Sequence, residues 1–598
     1  MPAMAGSSKV RSLVTRILAI IGGLTLLVVF ISAIVALFWL RPEGVSANTI
    51  VEVDLERQIV EYVPSDPGAQ AVLGSELTLL EIVDAIEKAK TDDQVSGLFV
   101  RVGNETLGTA TAEELRAAVK SFREADKPAV LFSETFGEVS PGRTSYYLAT
   151  AFDKIYMQPS GDLGLVGLST GSFFMQNALE EWGIEPAYDH RHEYKSAMYL
   201  FTEEDYTESH READARVMES TYDTMVQGIA EGRNLSVEEV ETLIEEGPYY
   251  GQEAVDAGLV DDLYYRDEVF AQMREDLGDD AELLYLRKFQ ERAGSAFDDG
   301  DDVALIYGTG QVVRGESGFS PLTMGTSMGA ETVTRAFRTA VDDEVEAIIF
   351  RIDSPGGSYV ASDAIWREVQ RARNSDIPVI ATMGDVAGSG GYFVAMGADQ
   401  IVAQPSTVTG SIGVVGGKFL TDDFWDELGI NWRELTTTES ATMWSSREDY
   451  TDHTGERFEA WLDRVYDDFT AKAADGRSMS QDELDEVARG RIWSGRDARE
   501  LGLVDELGGF HTAIELARNA AGMDEDAPVN LQLYPAKKSF FEQLIDEGLE
   551  SSERTATVRA VYNATEPIHP MLRTLHQMNL SPGARALHMP AHRSTWSQ

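Results

Sequence analysis

"YYLATAFDKIYMQPSGDLGLVG" (146–167) and "YFVAMGADQIVAQPSTVTGSIGVVG" (392–416) repeat one pattern, and reading them as two copies decides the fold. Working outward, "KPAVLFSETFG" (127–137) parallels "IPVIATMGDVA" (377–387), and "IEKAKTDDQVSGLFVRVGN" (86–104) parallels "AVDDEVEAIIFRIDSPGG" (340–357). "EEWGIE" (180–185) parallels "DELGIN" (426–431), and "GLVDDL" (258–263) parallels "GLVDEL" (502–507). The offset is 250 at Pro128/Pro378, 246 at Ile155/Ile401 and 244 at Gly258/Gly502. The step from 250 to 246 places four extra residues of the first copy around "EVSPGR". A register held over more than a hundred residues is a duplication, the first thing to establish in a long chain. In each copy short β-branched runs such as "VALIYG" (303–308), "AIIFRID" (347–353), "PVIATMG" (378–384) and "QIVAQP" (400–405) read as strands. They alternate with amphipathic helical runs such as 332–343 and 362–374. Strand–helix alternation of this kind predicts α/β layers around a mostly parallel sheet.

The expected organisation is a cytoplasmic N-terminus over 1–16, a transmembrane anchor over 17–40 and a first repeat over 41–297. An acidic linker at 298–302, a second repeat over 303–545 and a C-terminal tail over 546–598, expected to be disordered, complete the chain. "ILAIIGGLTLLVVFISAIVALFWL" (17–40) carries no charge and is long enough to cross a bilayer core of about 30 Å. Lys9, Arg11 and Arg16 precede it, so the positive-inside bias puts the short N-terminus in the cytoplasm and the bulk across the membrane. "VSA" (45–47) offers a signal-peptide cleavage site as the rival reading, against which the length of the apolar run argues.

Composition excludes some chemistry. The net charge of −51 argues against nucleic acid as a partner. The absence of cysteine removes thiolate catalysis, thiolate metal sites and disulfides. "DDGDD" (298–302) lacks the spacing of a calcium loop and reads as linker. No cofactor or metal is expected.

The copies differ where chemistry would sit. Ser389, in "DVAGSGGYF" (385–393), is a hydroxyl framed by glycines before a helical run, and its counterpart is Arg143. Gly356 and Gly357 face Thr106 and Leu107, and Ser411 faces Leu165. In the other direction Lys195, in "HEYKSAM", faces Ala441. One copy keeps a serine and glycines, and the other keeps a lysine. Packed together they would form a Ser/Lys dyad. A desolvated lysine loses its proton more readily and can serve as base. The N–H groups of Gly357 and Gly390 would receive an oxyanion, and Ser411 would orient the lysine. Two bland readings stand beside this one: Ser389 as a helix cap and Lys195 as a surface cation. Glu193, close in sequence, would spoil the base if it paired with the lysine.

The anchor, the tandem copies, "DSPGG" (353–357), "GDVAGSGGYF" (384–393), "PSTVTGSIGV" (405–414) and "YKSAM" (194–198) together resemble the signal peptide peptidase A family in its long two-domain bacterial form. The resemblance runs from the anchor to about residue 545, with Gly388 where the family pattern has an alanine. It implies tandem crotonase/Clp-protease-like domains and a serine endopeptidase anchored in the bacterial inner membrane, its catalytic body periplasmic. It also implies a homotetrameric bowl acting on cleaved signal peptides and other apolar peptides. Carried onto this sequence it makes Ser389 the nucleophile and Lys195 the general base. Ser411 supports the lysine, and Gly357 with Gly390 lines the oxyanion hole. Rival readings are an acyl-CoA enzyme of the crotonase type, a histidine-dependent hydrolase using His453 or His511, and a non-catalytic membrane scaffold.

Overall fold

The computed structural model describes residues 44–64, 66–103, 107–138, 140–320, 325–536 and 586–588. The apolar run 17–40 lies outside them. Among the described residues no helix is long and apolar enough to cross a membrane.

Each repeat builds the same sheet in the same order. In the first, the order is Asp262–Leu263, Lys154–Met157, Ala129–Ser133, Val95–Val102, Thr49–Leu55, Glu282–Tyr285, all parallel. In the second it is Glu506–Leu507, Gln400–Ala403, Val379–Gly388, Ala347–Ser354, Asp301–Thr309, Val529–Tyr534, again parallel. The strands are nearly continuous apolar runs because helices cover both faces. Val379–Gly388, for example, buries its first six residues completely enough to leave no face for water. Each buried aliphatic or aromatic side chain, Ile348 or Phe350 among them, contributes about 1.5–3 kcal/mol.

The duplication extends to single hydrogen bonds. The buried Tyr146 hydroxyl donates to the Leu259 carbonyl at 2.7 Å, and Tyr392 donates to Leu503 at 2.9 Å. Asp153 accepts from the Ala129 N–H and Asp399 from that of Val379, both at 2.9 Å. Arg233 pairs with Asp261, and Arg477 with Asp505. These pairs sit at the offsets of 250, 246 and 244 read from the sequence.

The repeats pack on each other rather than hang from a linker. The helix Phe510–Ala521 of the second repeat places Phe510, Ala513, Ile514 and Ala517 in one core with the helices Leu79–Thr91 and Thr109–Arg123 of the first. Arg351, fully buried, pairs across the junction with Glu61 and Glu114. Asp385 accepts the Ala110 and Thr111 N–H groups at the start of the Thr109–Arg123 helix. The acidic 298–302 stretch is partly structure: Asp298 bridges Asn530, and Asp301 and Asp302 open a strand. Asp302 accepts from the Asn530 and Gln532 amides, so its charge fixes a strand pair instead of spacing two domains. Three residues of the tail, Ala586–His588, form a strand antiparallel to Gly356–Ser358, where disorder was expected.

Candidate active site

Two devices bring the separated residues together. The Val379–Gly388 strand is twice as long as its first-repeat counterpart Ala129–Ser133, and its extension pairs with Val408–Gly410. The Ser389 N–H then donates to the Gly410 carbonyl at 2.8 Å, and the backbone turns at Ser389 with φ 53° into the helix Gly390–Ala395. A non-glycine residue in that strained region holds its side chain where an unstrained turn would not. The second device is an antiparallel ribbon between the repeats, Glu185–His190 against Val415–Leu420. It carries Lys195 out of the first repeat to the sheet end of the second.

Lys195 Nζ lies 2.8 Å from Ser389 Oγ, 2.8 Å from the Ser411 carbonyl oxygen and 3.0 Å from Ser411 Oγ. All three residues are 0% exposed. Burial holds the Lys195 ammonium well below its ordinary range, and no carboxylate among the described residues counters that effect. Glu193 does not interfere. Its side chain is half exposed and 4.0 Å from Arg489, while its carbonyl oxygen accepts from Tyr199 and Ser209. Ser411 also sits at positive φ, 51°, tied by its N–H to the Arg491 carbonyl.

Gly357 and Gly390 converge beside Ser389. A Cβ on Gly390 would lie 2.9 Å from the Gly357 nitrogen and 2.8 Å from Ser362 Oγ, so only hydrogen fits. Gly357, at φ 157°, has the Val312 backbone where a side chain would go. Ser354 holds this loop, its Oγ donating to the Gly310 carbonyl at 2.6 Å and accepting from the Gly356 N–H at 3.2 Å.

All five residues singled out from the sequence are therefore at one place. His453 and His511 are on exposed helical positions, and His511 is paired with Glu515. The reading from sequence overlooked Gly490, at φ 81°, where a Cβ would meet the Lys195 Cβ and nitrogen at 2.6 Å. The lysine stem threads past it and past Gly413. At the offset of 244 read at Gly258/Gly502, Gly490 faces Glu246, and at 250 Ser354 faces Asn104, so no shared residue of the repeat marked either.

The Peptidase family S49 model matches residues 122–279 and 371–524, once in each repeat. The chain is 31% identical over 499 residues to the chloroplastic serine protease SPPA of Arabidopsis thaliana, covering 82% of this chain and 72% of that one. It is 28% identical over 506 residues to Protease 4 of Salmonella typhi, covering 83% and 79%. Among solved structures it is similar to a ClpP1 mutant from Listeria monocytogenes, with 15% identity and a TM-score of 0.23 over 36% of this chain and 94% of that one. With a family match in both copies and relatives aligned along most of the chain, this protein belongs to peptidase family S49, as an SppA-type serine endopeptidase built from two repeats.

Proposed function

We propose that the protein is a membrane-anchored Ser/Lys endopeptidase that degrades apolar peptides, cleaved signal peptides among them, at the periplasmic face of the bacterial inner membrane. The 2.8 Å approach of Lys195 Nζ to Ser389 Oγ, both buried and with no carboxylate among the described residues acting on the amine, carries this reading. A neutral amine has two N–H donors and one lone pair. The donors match the two Ser411 oxygens, leaving the lone pair to accept from the Ser389 hydroxyl. Lys195 takes that proton as Oγ attacks the peptide carbonyl, and the Gly357 and Gly390 N–H groups receive the oxyanion. The lysine returns the proton to the leaving amine, and water, activated by the same lysine, clears the acyl-enzyme. The Gly356–Ser358 edge pairs antiparallel with the extended Ala586–His588 segment, which supports an extended peptide as the substrate form.

The location rests on the uncharged 17–40 run and the basic residues before it. The ribbon between repeats suggests how copies would assemble into a tetramer. Glu185–His190 pairs with Val415–Leu420 within the chain, but their counterparts, 431–436 and 169–174, are in no strand. The first of these segments is exposed throughout and includes Trp432 and Leu435. Head-to-tail contact of copies would pair the two segments and close a ring.

The test is hydrolysis of a synthetic apolar signal peptide by the full chain in detergent, comparing wild type with Ser389→Ala and Lys195→Ala. Loss of activity in both folded variants supports the dyad. Activity surviving in Lys195→Ala removes the lysine from the mechanism, and an inert wild type brings the scaffold reading forward.

A further inference from the structure

Arg143 occupies in the first repeat the position that Ser389 holds in the second, at the start of the helix Arg143–Ala149. Its side chain is only 3% exposed, yet among the described residues its Nε and Nη2 have no hydrogen-bond partner. Burial pushes the guanidinium down to about 10, and no carboxylate among the described residues raises it. A buried, unpaired cation is costly, and native structures normally pair or ligate one. The Nε and Nη2 atoms form one edge of the guanidinium, whose two parallel N–H bonds match the two oxygens of a carboxylate. This chain uses that edge elsewhere. Arg351 grips Glu61 with Nε at 3.0 Å and Nη2 at 2.7 Å, and Arg216 grips Asp497 at 3.0 and 2.6 Å. At Arg143 the same edge is unfilled.

We infer that Arg143 makes the vacated site of the first repeat a binding site for the C-terminal carboxylate of a peptide. The surroundings favour binding over cleavage. Leu165, buried, replaces the hydroxyl of Ser411, and Ala441 stands in the register of Lys195, so neither nucleophile nor base is present. Gly103 accepts from Ser145 of the Arg143–Ala149 helix and Phe136 backs onto Gly142, and both follow the carboxyl ends of the strands Val95–Val102 and Ala129–Ser133, where sheets of this type take their ligands. A peptide lying as it would in the second repeat, with a carbonyl at the Ser389 position, would here bring its last carbonyl to the guanidinium. A free carboxylate fills both N–H groups of the fork, whereas an amide offers one oxygen. The site would hold products or substrate ends near the dyad. This rests on the peptidase reading for the lie of the peptide, but its test needs no turnover.

The experiment uses the full chain carrying Ser389→Ala and titrates it calorimetrically with N-acetyl-Ala-Leu-Ala-Leu-Ala as free acid and as C-terminal amide. The acid binds about tenfold more tightly than the amide or better, as expected for a charge-assisted bidentate contact. Adding Arg143→Gln abolishes the preference, and Arg143→Lys, which keeps the charge but loses the fork, retains only part of it. If Arg143→Gln fails to fold by circular dichroism, the Arg143→Lys comparison decides. Equal affinities for acid and amide overturn the proposal, as does a preference that survives without Arg143. If the two peptides bind alike while Arg143→Gln shifts the sedimenting mass, the carboxylate belongs to a second copy and the peptide assignment falls. If wild type hydrolyses nothing but the preference for acid holds and depends on Arg143, this site stands and the peptidase reading fails.

Discussion

Ser389 and Arg143 stand at the same point of two sheets with the same strand order, yet one is a hydroxyl against a buried amine and the other is a buried cation. The difference begins in the backbone. In the second repeat the strand before the serine continues to Gly388 and is clamped by Val408–Gly410. In the first the strand stops at Ser133, and the chain reaches Arg143 through a loop that Thr135, Phe136 and Gly142 tie to Asp162 and Gly164. Bonds that hold the fold, such as those of Tyr146 and Tyr392, survive in both copies, while groups that serve chemistry survive in only one. Duplication relieved each copy of half the site, because the lysine of one packs against the serine of the other.

The largest effect that would break this comparison is a transplant. Ser389→Ala is expected to lower kcat/KM at least about a thousandfold. Adding Arg143→Ser restores nothing, because Ala441 supplies no base there. Recovery of peptide hydrolysis in the double variant would mean that the repeats are equivalent after all.

Replacing Lys195 with Met comes next, with an expected loss of about 10²–10⁴ in kcat. Wild-type kcat should rise with pH to a plateau reached well below the ordinary lysine range, and the residual rate of the variant should lack that step. Stability moves the same way with pH. The unfolded lysine binds its proton up to about 10.4, while the folded one releases it at lower pH, so the native state is less stable below that window and gains as pH rises through it. Lys195→Met should therefore raise Tm at neutral pH, and a lowered Tm would contradict the assigned neutral amine.

A finer test separates space from strain. Gly490→Ala puts a methyl group 2.6 Å from Lys195 and should cost about 10–10² in kcat with the fold retained. Gly522→Ala carries a similar φ of 72° but meets nothing within 4 Å, so it should cost only about 1 kcal/mol of stability and leave kcat unchanged. Equal kinetic losses in the two would assign the Gly490 effect to strain alone.

The smallest effect lies at the junction of the repeats. Burial pushes the Glu113 carboxyl, which accepts from the Ser406 N–H and hydroxyl, up to about 7. A carboxyl raised in the folded state loses stability as pH climbs from its unfolded value toward 7. Glu113→Gln should thus match wild type near pH 5 and exceed it in Tm near pH 8. A constant gap across that range would show that Glu113 does not titrate with folding.

The sequence by itself determined the duplication, its register, the sheet strands and the five residues that the fold brings to one place. Buried parallel strands are written as contiguous apolar runs, and a copy that loses a function reveals which residues served it. It could not determine that Gly490 makes room for the lysine, that Ser354 holds the glycine loop, or that Asp301 and Asp302 are strand rather than linker. Each of these depends on a neighbour far away in sequence, set by backbone approach rather than residue type. Nor could it determine the meeting of Lys195 with Ser389, which are 194 positions apart. Only the packed repeats and the ribbon between them decided that distance, and burying the amine there is what lowers its hold on a proton.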